Sequence, residues 1–598
     1  MLALTHGVTI RINPIPVLTL ASTKILSELK SRRWFADAGM RGFAHRQRMQ
    51  QQGWRREDVM DRPMIAIINT WSDLSPCHAH LRERAESVKK GILMAGGYPV
   101  ELPAMSLGEV LVKPTTMLYR NFLAMEVEEL LRSLPCDGVV ILAGCDKTTP
   151  GTLMGAFSMD IPTIFCPAGT MLNDRYVKDG VARTVGAGTH TRMFWDEYQA
   201  GNLDAAELQH LESRMTRAPG TCNTMGTAST MTAIAEALGL TLPGASSIPA
   251  MDSAHSRMAT SCGERIVGMV WEDLRPSTLV TRGSFQNALA VQMALGGSTN
   301  AAVHIIAMAG RLGVDLTLDD LDAMGRQVPV LANLFPSGDR LMEDFYYAGG
   351  LPALMQVIAP FLSLNERTVA GCTMVDQVNA AQVLDAQVIR PLDQPVSTAG
   401  ALAVLKGNLA PDGAVIKPSA ASDNLLRHTG RALVFDSQPQ MLAAMADETL
   451  DCDENTILVL RNAGPVGAPG MPEWGNLPIP KKLLRQGVRD MLRLSDARMS
   501  GTHYGTCVLH ISPESAVGGP LALIQTGDVI ELDVPARRLH VQLTPEQLQA
   551  RRAAWKPADA VATRGFTRLY QQHVTQAHLG CDFDFLQGNA KSPEPVIY

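Results

Sequence analysis

Four things are scarce in this chain, and each scarcity closes off a class of function. Positive charge is not in excess: 53 Lys and Arg stand against 59 Asp and Glu, for a formal net charge of −6. Scattered cations argue against a phosphate backbone as the main partner, but leave open a small anionic substrate received by local cations or a metal. No apolar run approaches the ~20 residues that span a bilayer. Residues 1–23 are mildly apolar but interrupted by His6, Arg11, Pro14 and Pro16, so no signal peptide is expected. Clustered cysteines are also missing. The ten present lie far apart, which excludes a disulfide scaffold as an expectation and leaves reduced thiols, in the cytoplasm, available to iron or zinc. There is no internal repeat and no low-complexity segment.

What is there is concentrated in Ala143-Gly144-Cys145-Asp146-Lys147-Thr148-Thr149-Pro150-Gly151. A soft metal ligand, a hard one and an amine stand side by side. The apolar run Asp137 to Leu142 before it reads as a buried strand, and Leu153 to Phe157 after it as a helix, with Thr149 and Pro150 suited to the cap and first turn. Cysteine and aspartate are thus delivered at the carboxyl end of a strand, where open α/β sheets place their ligands. The plainer reading of this stretch is a buried Cys with a solvated Asp-Lys pair.

At 598 residues the chain is too long for one core. Pro63 to Asn69 reads as a strand ending in Thr70 to His78, Leu81 to Ala95 as a helix closed by Gly96-Gly97, Pro99 to Leu102 as a strand leading to Ser106-Leu107-Gly108-Glu109, and Ile161 to Cys166 as a further strand. Such alternation is that of a doubly wound sheet. Leu203 to Arg217 and Thr230 to Leu238 read as helices. Leu289 to Ala309, containing Gly296-Gly297-Ser298-Thr299-Asn300, is rich in small residues; it reads either as lining the site or as tight packing, with packing the favoured expectation. From about Asp385 short β-rich runs appear between Gly, Pro and Asp: 414–417, 432–435, 456–460, and 529–532 paired with 539–542. That spacing suggests a barrel or sandwich. Leu543 to Trp555 reads as a terminal helix, followed by a loosely held tail after Gly588. The expected architecture is α/β: an extension over 1–33, a doubly wound parallel-sheet domain over 34–384, and a β-barrel-like domain over 385–598. The basic aromatic segment Trp34 to Arg46 is a candidate subunit contact.

Cys77, Cys145 and Cys222 each open a loop rich in Pro, Gly or Thr, far apart in sequence. Three thiolates with no closing fourth ligand would suit an iron-sulfur cluster with one iron open to act as a Lewis acid. Taken singly, each cysteine reads equally well as a small buried hydrophobe, and the remaining seven are left under that reading.

Several stretches together carry a family resemblance: Pro76-Cys77-His78, Gly144 to Gly151, Gly220-Thr221-Cys222 with Thr227 to Met231, Gly464 to Glu473, and Asp496 to Thr502. They run over nearly the whole chain, which resembles the dihydroxy-acid and sugar-acid dehydratases, the family that also contains phosphogluconate dehydratase. The resemblance implies a 2Fe-2S cluster on Cys77, Cys145 and Cys222, and Mg2+ held by Glu109, Asp146, Glu473 and a carbamylated Lys147. It makes Ser500 the general base, with Thr502 holding the alkoxide or the substrate. Hard oxygen ligands suit magnesium, and a carbamate turns a cationic lysine into one more of them. A serine is a poor base unless nearby cations lower its pKa. Without the resemblance, Glu473 reads as a solvated loop acid, and Ser500 and Thr502 as turn residues.

The implied reaction is a hydro-lyase one: C2 proton abstraction, Lewis-acid loss of the C3 hydroxyl, and a 2-keto-3-deoxy acid as product. Ser106-Leu107-Gly108-Glu109, followed by Lys113 to Asn121, and Asn69 to Asp73 look like the pentonate and related aldonate enzymes. Asn223, where many branched-chain enzymes carry Gly, points the same way. A sugar acid such as L-arabinonate or D-xylonate is therefore the expected substrate, with a homodimer or homotetramer as the assembly. The alternatives are a dihydroxy-acid dehydratase of branched-chain amino-acid synthesis, a non-catalytic iron-sulfur carrier or sensor, and a zinc-stabilised binding protein.

Overall fold

The computed structural model describes residues 23–178, 180–557, 562–588 and 590–597; the first 22 residues of the expected extension lie outside them. Four strands form one all-parallel sheet: β1 (Met64–Asn69), β2 (Tyr98–Pro103), β3 (Gly138–Ala143) and β4 (Thr163–Pro167), in the order β2-β1-β3-β4. β1 and β3 are buried along their whole length, as strands covered on both faces must be, which is why they read as unbroken apolar runs. The connections are the helices Leu81–Met94, Arg120–Ser133 and Thr148–Met159.

The order of the strands reverses between β1 and β3, since β2 adds outside β1 and β4 outside β3. The crevice at such a switch point is open at the carboxyl ends of the strands. In register, Asn69 lies beside both Pro103 and Leu142, and Ala143 beside Pro167. The loops carrying Cys77, Glu109 and Cys145 therefore leave the same edge. The Thr148–Met159 helix starts two residues earlier than expected, with Lys147 itself at its N-cap.

A hairpin of β5 (Asp174–Lys178) and β6 (Val181–Val185) and two helices, Thr189–Gln199 and Ala205–Arg214, follow. Then come Thr227–Ala237, Ser253–Glu272, Arg282–Ala294 and Ala301–Arg311. The long Ser253–Glu272 helix packs on Leu81–Met94 by glycine contacts: a Cβ on Gly91 would lie 1.9 Å from the Thr260 carbonyl oxygen, and one on Gly263 2.2 Å from that of Val88.

The C-terminal β-rich part is a closed eight-stranded barrel, which resolves the choice between barrel and sandwich. Its strands are β7 (Ala403–Gly407), β8 (Ala410–Ile416), β9 (Arg427–Phe435), β10 (Ile457–Leu460), β11 (Arg493–Ser495), β12 (Cys507–Ser512), β13 (Val529–Asp533) and β14 (Arg538–Val541). Closure removes the exposed edges. Inside lie Leu405, Ile416, Ile457, Val459, Leu494, Val508, Ile530 and Val541. β9, β10, β11 and β12 run parallel, so the loops after β10 and β11, which carry Glu473 and Ser500, leave the same mouth.

Two expectations about the C-terminus are corrected. The helix Pro545–Ala554 is not terminal: a second, Gly565–His573, follows, and residues 580–582 return to the sheet domain. There Arg120 donates to the carbonyls of Gly580 and Cys581 at 2.9 and 2.8 Å, and the fully buried Arg311 pairs with Asp582 at 2.6 Å. Nor is the tail loose, since Lys591 pairs with Asp160 at 2.6 Å and Glu594 with Arg33 at 3.1 Å. The aromatic arm is partly used inside the chain, where Phe35 packs with Val59, Met64 and Tyr98.

Lys417, at the end of β8, is buried and donates to the Gly296 carbonyl at 2.6 Å. Burial lowers its ammonium from 10.5 to about 7. Between those values the unfolded chain holds a proton that the folded chain lacks, so this group makes stability rise with pH over that window. Lys417→Met is expected to flatten the rise, read as denaturation midpoints at about pH 7 and about pH 9.5; an unaltered pH slope would contradict it.

Candidate active site

The two domains bring their loops together around Lys147. Its side chain is 0% exposed, and Nζ stands 3.0 Å from Glu109 Oε2, 3.4 Å from Asp146 Oδ2 and 3.4 Å from Glu473 Oε1. Glu109 arrives from the loop after β2, Asp146 from the loop after β3, and Glu473 from the barrel. Burying three carboxylates is costly unless cations accompany them. The second cation is Arg498, wholly buried, which donates to Glu473 Oε1 at 2.9 Å, to the Met471 carbonyl at 2.8 Å and to Thr115 Oγ1 at 3.1 Å. Arg498 thus ties the barrel mouth to the sheet domain.

The electrostatics separate the carboxylates. Burial would raise Glu473, but Lys147 and Arg498 outweigh it and hold its carboxyl down at about 2. Burial prevails at Glu109, whose carboxyl is raised in spite of Lys147, with Glu473 and Asp146 adding to the rise. Thr116 donates its hydroxyl to Glu109. Burial and Arg498 work against the Lys147 ammonium, yet the three carboxylates raise it overall.

On the other side of the same loop are the sulfurs. Cys145 Sγ is 3.6 Å from Cys77 Sγ, and Cys222 is close enough to bear electrostatically on both. The Cys145 partner and burial raise the Cys77 thiol well above its usual value, and burial followed by Asp146 pushes Cys222 up to about 12. Without a metal the Cys77 and Cys222 thiols would stay protonated, and a bound positive centre is what would stabilise their thiolates. His78 is buried between the two loops and accepts the Cys145 N–H on Nε2 at 3.1 Å, while Nδ1 lies 3.1 Å from Ser106 Oγ. The Cys222 loop is laced to the same place: Gly220 N–H donates to the Pro76 carbonyl at 3.2 Å and Thr221 N–H to that of Gly169 at 3.0 Å.

Ser500 and Thr502 form a hydroxyl pair, 3.0 Å apart, on the turn after β11. The turn sits tightly against the helical layer. A Cβ on Gly501 would meet Ser298 Oγ at 2.5 Å and Thr227 N at 2.8 Å, so only glycine fits between Ser500 and Thr502. Asn300, buried, donates to Glu473 Oε1 at 2.8 Å and to Thr227 Oγ1 at 3.1 Å, and Thr227 Oγ1 lies 2.9 Å from Ser298 Oγ. The Gly296 to Asn300 turn therefore holds both Glu473 and the Ser500 turn, so the site-lining alternative prevails over the favoured packing one. His78, Arg498 and Thr116 likewise join the site without a role expected from the sequence. Arg498 lies two residues before Ser500 and His78 directly after Cys77, so proximity to a ligand was the available signal; Asn300 had none beyond its glycine-rich turn.

All ten cysteines are free. The donors sort by chemistry: Cys145 meets Cys77, and the carboxylates gather on Lys147, a soft set beside a hard set. As an ammonium, Lys147 occupies the point on which the carboxylates converge, and among the described residues no three His, Cys, Asp or Glu side chains are arranged to hold an ion as they stand. A carbamate on Lys147 would replace that central positive charge by a fourth oxygen donor, and the hard set would then fit a divalent cation.

The comparisons with known proteins agree with this architecture. Residues 62–377 match the dihydroxy-acid/6-phosphogluconate dehydratase N-terminal family and residues 387–581 its C-terminal counterpart. The chain is 59% identical over 578 residues to a 6-deoxy-6-sulfo-D-gluconate dehydratase of Pseudomonas putida, covering 96% of this chain and 99% of the relative. It is 49% identical over 563 residues to an L-arabinonate dehydratase of Rhizobium leguminosarum bv. trifolii, covering 94% and 96%. To a dihydroxy-acid dehydratase of Ignicoccus hospitalis it is 38% identical over 544 residues, covering 88% and 96%. With both halves matched, and a fold that joins a parallel sheet to a closed barrel through one buried site, the chain belongs to the dihydroxy-acid/6-phosphogluconate dehydratase family.

Proposed function

We propose that this protein is a hydro-lyase that dehydrates a sugar acid to a 2-keto-3-deoxy acid. The observation that carries the reading is the meeting of a buried Lys147–carboxylate cluster with the Ser500–Thr502 hydroxyl pair across one domain interface. The higher identity to the sulfogluconate and arabinonate enzymes than to the branched-chain one favours a sugar acid over 2,3-dihydroxy-3-methylbutanoate.

Cys77, Cys145 and Cys222 would hold a 2Fe-2S cluster; Glu109, Asp146, Glu473 and carbamylated Lys147 would hold Mg2+. When bound, the two supply Lewis acidity, hard at the carboxylate and C2 hydroxyl and soft at the departing C3 hydroxyl. The residues of the chain do the rest. Ser500 takes the C2 proton, and the Thr502 hydroxyl beside it stabilises the serine oxygen in its deprotonated form. Arg498 and Asn300 keep Glu473 ionised and aimed at the cluster. His78 fixes the spacing of the two cysteine loops. The enzyme is expected in the cytoplasm as a homodimer or homotetramer.

The test is a substrate panel. Anaerobically purified, cluster-loaded protein with Mg2+ should produce 2-keto-3-deoxy acids from at least one aldonate. No keto acid from any aldonate, with turnover of 2,3-dihydroxy-3-methylbutanoate instead, would replace this reading by the branched-chain one. A reversible redox signal with no turnover at all would favour an electron carrier, and zinc without inorganic sulfide a binding protein. Asn300→Ala should lower kcat/KM by about 10–100-fold, the usual cost of removing a group that orients a metal ligand, with retained iron and sulfide; wild-type kinetics would deny Asn300 that role.

A further inference from the structure

The helix Thr189–Gln199 lies along the Ser500 turn and meets it residue by residue. Thr189 Oγ1 donates to the Thr502 carbonyl at 2.6 Å, and Tyr504 OH donates to Asp196 Oδ2 at 3.1 Å. Between them stands Arg192, whose charge bears on His503 and Tyr504. Positions 189, 192 and 196 form one stripe of the helix, so the stripe follows 502, 503 and 504 outward from the catalytic serine.

Arg192 is held in an unusual way for a plain surface pair. Its Nε donates to Asp196 Oδ2 at 3.2 Å and lies 3.1 Å from Oδ1. Asp196 is in turn fixed from the barrel by Tyr504, and its side chain is only 17% exposed. Among the described residues neither Nη1 nor Nη2 of Arg192 has a hydrogen-bond partner, although the side chain is only 24% exposed. Beside it the Nδ1 of His503 is buried and also unpartnered, and the His503 N–H donates to the Ser500 carbonyl at 3.1 Å. A guanidinium anchored through Nε and free at both Nη atoms is a fork pre-set for an anion with two or more oxygens.

His503, bonded back to the Ser500 carbonyl, feels the charges of Glu473 on the cluster side and of Arg192 on the helix side. The last step along the helix from Thr189 to Arg192 is about 4.5 Å. If the substrate carboxylate faces the Lys147 cluster and C2 faces Ser500, the far end of the carbon chain points to Arg192. We propose that Arg192 is the specificity residue for that far end, and that the site selects a sugar acid bearing an anionic group, a sulfonate, phosphate or carboxylate, on its terminal carbon. This rests on the sugar-acid reading above and adds the charge of the substrate's other end to it.

The experiment compares D-gluconate with three partners of equal chain length that carry the anion at C6: 6-phospho-D-gluconate, 6-deoxy-6-sulfo-D-gluconate and D-glucarate. Each is assayed with the cluster-loaded, Mg2+-supplied wild type, Arg192→Gln, Arg192→Lys, and Arg183→Gln, an exposed control of the same charge change. The ratio of kcat/KM for an anionic acid to that for gluconate is the readout, since a misfolded fraction cancels from it. In the wild type at least one anionic partner should exceed gluconate tenfold or more, and which one distinguishes sulfonate, phosphate and carboxylate. Arg192→Gln should reduce that ratio at least tenfold, chiefly through KM, Arg192→Lys should restore part of it, and Arg183→Gln should leave it alone. A wild type that prefers gluconate, one that turns over pentonates but no C6 acid, or a ratio untouched by Arg192→Gln overturns the assignment of Arg192 while sparing the dehydratase reading. No keto acid from any sugar acid overturns both.

Discussion

Lys147→Ala is expected to abolish turnover, by at least about 10³-fold, while leaving the iron and sulfide content and the visible spectrum of the cluster near wild type. Lys147 lies within 3.4 Å of Glu109, Asp146 and Glu473 and is fully buried. Removing it leaves three carboxylates with Arg498 alone to balance them, and Glu109, already raised by burial, is the one that would take up a proton. The hard site is then lost whether Lys147 acts as ammonium or as carbamate. A carbon-13 bicarbonate label separates those two: a carbamyl resonance present in the wild type and absent in Lys147→Ala supports the modified form. Cys145→Ser is expected to show the opposite pattern, losing iron, sulfide and turnover together, because Cys145 stands against the Cys77 sulfur. A Lys147→Ala enzyme that turns over normally would mean that the loop has been assigned the wrong chemistry.

Ser500→Ala should reduce kcat by about 10²–10⁴-fold, the range expected for loss of a positioned base, with KM changed little. Ser500 Oγ lies 3.0 Å from Thr502 Oγ1, and Gly501 holds the turn against Ser298 and Thr227. The distinctive readout is exchange of the substrate C2 hydrogen with deuterated solvent, which should vanish in Ser500→Ala and persist at a reduced rate in Thr502→Val. Retained C2 exchange in Ser500→Ala would transfer the base to another group and leave Ser500 a turn residue.

Much of the sheet domain was legible because buried parallel strands carry their own signal. Val139 to Leu142 and Ile65 to Ile68 are apolar without interruption, and the polar loops after them stand out by contrast. The barrel was legible as β-rich spacing but not as a closed cylinder, since closure joins strands far apart in sequence: β14 pairs with β7, and β13 with β9. The C-terminus was misread because the sequence around Ala577 to Phe583 has no long apolar pattern. Its order comes from buried contacts to Arg120 and Arg311, 460 and 271 residues away.

By itself the sequence determined the ligand-type residues, the strands that deliver them and, through its motifs, the family. The chemistry of Cys145, Asp146 and Lys147 is local, and local chemistry survives in one dimension. Only the tertiary structure decided that Glu473 from the barrel meets Lys147 from the sheet, that Asn300 and Arg498 hold it there, and that Arg192, anchored to Asp196, is tied to the Ser500 turn through Tyr504. Those are matters of distance and burial between distant segments: a carboxylate becomes part of a site when the fold withdraws it from water beside specific cations, and no spacing along the chain records that.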